Sequence, residues 1–182
     1  MTHNINNGLI LATDVTNCTI GGLISELEIV ECSAIIDHGI NNGIVTSEKV
    51  SYTEAGGIVG IVKRIRASYN ITLINCENNA TISCLEGKSR GLVGNDYSSD
   101  YGMNFFNCIN KGTIIGTHAY GIADSVLIAK NIVSLGCCKG KTQAEQSQFF
   151  NNYSSTSSLF CYNKCDGCKI VPDNTIIFDD NN

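Results

Sequence analysis

Cysteines near the C-terminal end of the chain have the spacing of a disulfide or metal site. Three of them follow an adjacent pair, and together they are Cys137, Cys138, Cys161, Cys165 and Cys168. The Cys-Asp-Gly-Cys turn has the spacing of a zinc knuckle, but a structural zinc site pairs two such turns. The sequence contains one, so a disulfide, free thiols or a metal remain open here. We assign no metal ligand and no cofactor.

Carboxylates are the next candidates, because hydrolysis of a polysaccharide needs two of them on one exposed face. The candidate groups are Asp96 with Asp100, Asp179 with Asp180, and Asp37 beside His38. Adjacent residues on a strand point to opposite faces, and Asp96 and Asp100 fall in a loop rich in Tyr and Ser. We therefore interpret these carboxylates as solvated surface.

Nucleophilic catalysis would have to use one of three histidines as its base. His3 is expected in a frayed terminus and His118 at a corner between strands, and His38 follows Asp37. None of these positions predicts a triad, so we assign no catalytic residue.

Aromatic residues are candidate partner contacts, because exposed aromatic side chains often anchor an interface. Tyr97, Tyr101 and Tyr120 are the main candidates, together with the tract from Phe149 to Tyr153. The same side chains would equally serve to cover one end of a stack of repeats.

Composition and charge exclude two classes of function. The chain has 182 residues, a net charge of −5 and one basic cluster at Lys63, Arg64 and Arg66. Nucleic-acid binding needs a basic stripe that neutralises several phosphates, so this class is set aside. No apolar run is long enough to span a membrane. The first residues lack the pattern of a secretory signal, which leaves open whether Met1 is the native start.

Four segments that could position these residues repeat along the chain. They are Ile5-Asn6-Asn7-Gly8, Ile40-Asn41-Asn42-Gly43, Glu77-Asn78-Asn79-Ala80 and Ile109-Asn110-Lys111-Gly112. Each is followed by a glycine signature: Gly21-Gly22-Leu23-Ile24, Gly56-Gly57-Ile58-Val59-Gly60, Gly91-Leu92-Val93-Gly94 and Gly121-Ile122-Ala123. The corner glycine positions recur after 35, 37 and 32 residues, and the short apolar runs between them lack the period of a helix.

These repeats predict an all-β fold, a right-handed parallel β-helix of about four coils with three short strands in each. Asparagines at aligned corners are expected to hydrogen-bond from coil to coil. We expect Cys32, Cys76 and Cys108 to point inward and stack, because a thiol behaves as a small buried apolar group. The β-helix is predicted over residues 1–140, and residues 141–182 are predicted to form an irregular cap that contains cysteines.

The repeats resemble those of the GLUG-repeat family. The residues that carry the resemblance are Ile74-Asn75-Cys76, Asn78, Ala80-Thr81-Ile82 and Gly91-Leu92-Val93-Gly94, echoed by Phe106-Asn107-Cys108, Asn110, Gly112-Thr113-Ile114 and Gly121-Ile122-Ala123. The last signature lacks the closing glycine, and the first has Ser25 in its place. The resemblance covers about residues 1–125 and implies a β-helical stalk or adhesin-like segment of a large surface or secreted protein.

Together these observations favour a non-enzymatic segment of a cell-surface or secreted protein that binds a host or cell-surface protein or glycan, or acts as a spacer. The alternative is a carbohydrate-active β-helix that uses clustered carboxylates, and a zinc-stabilised binding module is a third hypothesis. Sequons for N-glycosylation at Asn17, Asn70, Asn79 and Asn152 give weak support for export. The ligand, the thiol state and the oligomeric state remain open.

Overall fold

The computed structural model describes residues 1–50, 52–64, 69–96, 103–141, 146–147, 149–150, 152–162 and 175–178. Within these ranges the regular elements are β-strands, and the pairings between them are parallel. No helix that could span a membrane occurs in this part of the chain.

The strands are short, as the repeated corners require. In chain order they are β1 (Thr2–Asn6), β2 (Ile10–Thr13), β3 (Asn17–Gly21), β4 (Ile24–Ile29), β5 (Ala34–Asn41), β6 (Val45–Glu48), β7 (Tyr52–Gly56), β8 (Val59–Arg64), β9 (Ile71–Ile74), β10 (Glu77–Asn78), β11 (Ile82–Arg90), β12 (Val93–Asp96), β13 (Met103–Phe106), β14 (Ile109–Asn110), β15 (Ile114–Tyr120), β16 (Ser125–Ser134), β17 (Cys138–Lys139), β18 (Gln146–Ser147), β19 (Asn152–Tyr162) and β20 (Ile176–Phe178).

Three sheets run along the stack, and each of the first three coils contributes to all of them in turn. Sheet A contains β1, β5, β9, β10, β13, β14, β16, β19 and β20, sheet B contains β2, β3, β6, β7, β11, β15, β17 and β18, and sheet C contains β4, β8 and β12. The first coil is β1 to β4, the second β5 to β8, the third β9 to β12, and the fourth begins at β13. The predicted parallel β-helix is therefore confirmed.

Asparagines at the corner between sheets A and B form the predicted ladder. Asn6, Asn41, Asn78 and Asn110 are register partners in successive coils. Each amide nitrogen donates to the next amide oxygen at 2.8 Å. The amide nitrogen of Asn78 also donates to the Ala80 carbonyl at 2.9 Å. We call these four residues the inner ladder, because all but the terminal Asn6 are fully buried.

The glycines at the corner between sheets B and C leave room for the side chains of the inner ladder, which reach this corner from the opposite side of the interior. A Cβ atom on Gly57 would lie 2.1 Å from the Gly91 carbonyl oxygen and 2.7 Å from Cγ of Asn78. A larger residue cannot occupy this position without moving the backbone. The contact divides the interior into a larger apolar core between sheets A and C and a smaller one lined by sheet B.

A row of left-handed residues crosses sheet A and interrupts the alternation of its side chains. His3, His38, Asn75, Asn107, Asn131 and Ser158 have φ between 53° and 56° and stack in register. Before this row Ile71 and Leu73 point inward, and after it Cys76 also points inward. The extra residue at φ > 0 allows both sets of apolar side chains to reach the core.

The cysteine prediction is correct for Cys76 and Cys108, which are fully buried in the larger core. It is wrong for Cys32, which is exposed. Register explains the error, because Glu77 pairs with Ile40 and the position of Cys76 is therefore taken by Gly39 in the second coil. Cys32 lies before β5 instead, outside the strand that lines the core.

Strands of the predicted terminal segment continue the stack. β19 pairs with β16 from Asn152 to Cys161, and β20 pairs with the end of β19. Leu159 and Cys161 on β19 are fully buried in the larger core, as are Phe149 and Phe150 before it. The boundary at residue 141 remains a prediction, but sheet A extends beyond it.

The inner ladder predicts an unequal cost for the same substitution at two adjacent asparagines. Asn78→Ala leaves the amide nitrogen of Asn41 and the amide oxygen of Asn110 without partners in the core. We expect it to lower the free energy of unfolding by about 2 to 4 kcal/mol. The control is Asn79→Ala, whose exposed amide donates to Asn42 at 2.8 Å and should cost less than about 1 kcal/mol. Urea unfolding measures both, and equal losses would contradict a structural role for the ladder.

Candidate ligand-binding groove

Polar side chains meet outside the core, in the angle between sheets B and C. On β7, Ala55 points into the smaller core and Thr53 donates to the Ser47 hydroxyl inside it. Because side chains alternate along a strand, Glu54 lies on the outer face. Arg90 on β11 also lies on this outer face, level with Gly56. We call this angle the B–C groove.

Arg90 is the centre of the groove in the third coil. Its Nη1 donates to Oε2 of Glu54 at 2.6 Å, and its Nη2 donates to Oδ2 of Asp124 at 3.2 Å. Its guanidinium lies 5.6 Å from the ring centre of Tyr120. The side chains of Arg90 and Glu54 are only 1% and 2% exposed. Two carboxylates and an aromatic ring therefore compensate part of the cost of burying this cation, whose Nε lacks a hydrogen-bond partner among the described residues.

Glu54 collects further donors from both sheets. Asn95 on β12 donates to Oε1 at 3.1 Å, and the Tyr52 hydroxyl donates to the same oxygen. Lys88 lies 3.6 Å from Oε1 and 5.9 Å from the centre of the Tyr52 ring. These contacts join sheet B to sheet C, so the network fixes the angle between them.

A pocket of about 640 Å³ opens at the N-terminal end of the groove. Sheet B contributes Asn17, Cys18, Thr19, Tyr52 and Glu54 to its walls, and sheet C contributes Ser25 and Glu26. Glu26 also forms an ion pair with Lys63 at 2.7 Å. The pocket is polar, and it combines carboxylate, amide and hydroxyl groups with one aromatic ring.

The candidate aromatic contacts are only partly described. Tyr97 and Tyr101 lie outside the described residues. The expectation of an exposed contact at Tyr120 is wrong, because this residue is 4% exposed and its ring packs against Arg90. Phe149 and Phe150 are buried in the larger core, so neither is an exposed contact.

The candidate carboxylates do not form the groove, and the interpretation of Asp96 as solvated surface is wrong. Asp96 forms an ion pair with Arg64, and both side chains are buried. Asp96 is level with the core residue Val62, so it points into the interior. Asp100, Asp179 and Asp180 lie outside the described residues. Asp37 and His38 do meet, at 2.7 Å between Oδ1 and Nδ1. The left-handed backbone of His38 explains this contact, which strand alternation did not predict.

Two histidine positions differ from expectation. His3 lies within β1 instead of a frayed end, and its ring stacks on that of His38 with 4.7 Å between their centres. His118 lies within β15, level with Lys88, and not at a corner. Neither residue lines the pocket described above.

The cysteines have different environments. Cys161 is buried, Cys137 is disulfide-bonded, and Cys165 and Cys168 lie outside the described residues. Among the residues that the structure describes, no group of three or more His, Cys, Asp and Glu side chains could hold a metal ion. Burial raises the pKa of the thiols of Cys84 and Cys108, whereas a hydrogen bond from Cys108 lowers the pKa of Cys76.

Sequence reasoning missed the groove residues. The signal that could have found them is a charged residue close to the glycine corner in successive coils: Glu54 before Gly56, Arg90 before Gly91 and Asp124 after Ala123. Their separations of 36 and 34 residues match one coil each. Comparison with family models, with curated proteins and with solved structures finds no match to this chain.

Removal of the groove cation should be far more costly than removal of a surface cation. Arg90→Met removes the shared cation of the buried Glu54 and the partly exposed Asp124, so we expect a loss of about 3 to 5 kcal/mol in the free energy of unfolding. The control Lys63→Met removes the exposed pair with Glu26 and should cost less than about 1 kcal/mol. The double variant Arg90→Met with Glu54→Gln should recover part of the loss. Equal effects of the two single variants in urea unfolding would refute the role of Arg90.

Thiol labelling should separate the cysteines by their position in the fold. We expect iodoacetamide to modify Cys32 rapidly and to leave Cys76, Cys84 and Cys108 unmodified until the protein unfolds.

Because the pKa of Cys84 is raised by burial, its folded thiol stays protonated at a pH where the unfolded thiol ionises. Stability should therefore fall as the pH rises above the ordinary thiol value of 9.0. Peptide mass spectrometry checks the labelling, and early modification of Cys108 would contradict the assigned register.

Proposed function

We propose that this chain is a non-enzymatic β-solenoid segment of a cell-surface or secreted protein and that it binds its partner through the B–C groove. The observation that carries the proposal is the rigid polar network around Glu54 and Arg90, with an open polar pocket beside it. A site on rigid strands holds its side chains in position before a ligand arrives, which lowers the entropic cost of binding.

The resemblance of the corners to GLUG repeats supports the surface or secreted location, because the repeats of that family occur in such proteins. Candidate partners are a host or cell-surface protein or a glycan. Along the stack, the inner ladder and the core occupy the inward positions, so a partner can contact only the outer faces. Among those faces, the B–C groove is concave and brings carboxylate, amide, hydroxyl and aromatic groups together.

The groove does not favour the carbohydrate-active enzyme. Such an enzyme needs a carboxyl group that donates a proton and a second that acts as base or nucleophile. Glu54 accepts from Arg90, Asn95 and Tyr52, and Asp124 also accepts from Arg90. Carboxylates engaged in this way act as structural acceptors, which supports binding in preference to hydrolysis.

Adhesion of beads coated with the protein tests the proposal. Beads would be exposed to cultured epithelial cells and to bacterial cell walls, and we expect retention on at least one surface. The groove variant Tyr52→Ala with Glu26→Ala should reduce retention roughly tenfold, since a few central residues dominate an interface. The control Ile35→Ala with Leu85→Ala changes two exposed apolar side chains outside the groove and should leave retention unchanged.

Two results would contradict the proposal. Equal retention of the groove and control variants would place the contact elsewhere, and no retention on any surface would reduce the segment to a spacer. Steady release of new reducing ends from soluble polysaccharides, abolished in the groove variant, would favour the enzyme instead.

A further inference from the structure

The pocket at the N-terminal end of the B–C groove lies in the first two coils, where residues of β3, β4 and β7 form its walls. Its volume is about 640 Å³. Arg90 occupies the groove in the third coil and is level with Gly56 in the second coil, which in turn is level with Gly21 in the first. The large side chain of the third coil therefore has no counterpart in the first two coils.

Backbone atoms, and not open space, lie beside the two glycines. A Cβ atom on Gly56 would lie 1.9 Å from the Val59 carbonyl oxygen, and one on Gly21 would lie 1.9 Å from that of Ile24. The pocket therefore lies next to the glycine corner, between residues of β3, β4 and β7. Its volume suits a small ligand.

The charges that line this space are already balanced. Glu54 is paired with Arg90 and approached by Lys88, and Glu26 is paired with Lys63. A strongly cationic ligand would have to displace these cations, and an anionic ligand would meet two carboxylates. The pocket is therefore suited to a ligand without net charge.

The remaining groups define the chemistry of that ligand. The exposed carboxylate of Glu26 accepts hydrogen bonds, the amide of Asn17 donates and accepts, and the hydroxyls of Thr19 and Ser25 do both. Tyr52 borders the pocket and is 38% exposed. Hydroxyl groups that both donate and accept, next to an apolar C–H face that can lie on an aromatic ring, are the features of a sugar.

We propose that this pocket binds a neutral saccharide, with hydroxyl groups of one sugar hydrogen-bonded to Glu26, Asn17 and Ser25 and its C–H face against the ring of Tyr52. The inference rests on the proposed function, because it names the ligand class of the same groove. A glycan chain would leave the pocket along the groove, parallel to the stack.

A printed array of neutral oligosaccharides, probed with the whole chain and followed by calorimetry on the oligosaccharides that bind, tests the inference. We expect Tyr52→Ala to weaken binding roughly tenfold or more, because the ring contact is lost. Tyr52→Phe keeps the ring and should stay within a few-fold of the wild type. Circular dichroism confirms that each variant folds.

A pair of tryptophan variants on β4 supplies the matched control. Ser25 and Glu28 are both exposed residues of this strand, but only Ser25 lines the pocket. Ser25→Trp fills the pocket and should abolish saccharide binding, whereas Glu28→Trp adds the same side chain outside it and should leave binding unchanged.

The outcomes separate this inference from the proposed function. Saccharide binding that survives both Ser25→Trp and Tyr52→Ala would overturn the assignment of the pocket. No binding to the array, together with groove-dependent adhesion of the beads, would overturn the saccharide and leave the binding function in place. A peptide array probed in parallel would then identify a protein partner as the ligand class.

Discussion

The structure depends on the requirement that each coil lies in register on the next. In a parallel stack, equivalent residues of successive coils lie next to each other along the whole molecule. A polar side chain that points inward must therefore form its hydrogen bonds with the equivalent side chains of the neighbouring coils. Asparagine meets this requirement because its amide offers a donor on one side and an acceptor on the other. The chain of amides from Asn6 to Asn110 is therefore both a set of hydrogen bonds and the device that sets the register. A slip of one residue would bury unpaired amides, which is costly in a low-dielectric interior.

The same register explains which parts of the fold the sequence could predict. The corners Asn-Asn-Gly and Gly-Gly recur at the length of one coil, and they are enough to predict parallel stacked strands and the asparagine ladder. Side-chain direction within a strand was harder to predict, because the left-handed row at His38, Asn75 and Asn107 shifts the alternation by one residue. Without that row, Leu73 and Cys76 could not both point inward. The prediction for Cys32 is wrong for a related reason. The apolar run from Leu27 to Cys32 resembles the runs that end at Cys76 and Cys108. In the second coil, however, Gly39 and not Cys32 is level with Cys76.

The groove could not be predicted to the same degree, because it depends on the angle between two sheets and not on a repeated residue. Glu54, Arg90 and Asp124 occupy different positions relative to their glycine corners, and only the fold brings them together. Charged residues beside a corner are usually solvated, and their sequence spacing does not distinguish that case from an ion pair. Burial separates the two cases, and Arg90 and Glu54 are buried because they lie in the angle between sheets B and C.

Regularity and function are therefore assigned to different residues. Positions that repeat in every coil, such as the inner ladder and the corner glycines, are committed to stacking and have no freedom to bind a ligand. Any specific surface must come from positions where the coils differ. The level that holds Gly21, Gly56, Arg90 and Tyr120 in successive coils is the clearest such case. It holds glycines, with backbone atoms against them, at one end and a guanidinium and a ring at the other, so the coils of a regular scaffold present different groups to the groove. Because Arg90 and Asn95 both donate to Glu54, the residues beside the pocket tie sheet B to sheet C and contribute to the stability of the stack. Selection for binding in the pocket would then have to preserve Arg90 and Glu54 even though neither side chain needs to touch the ligand.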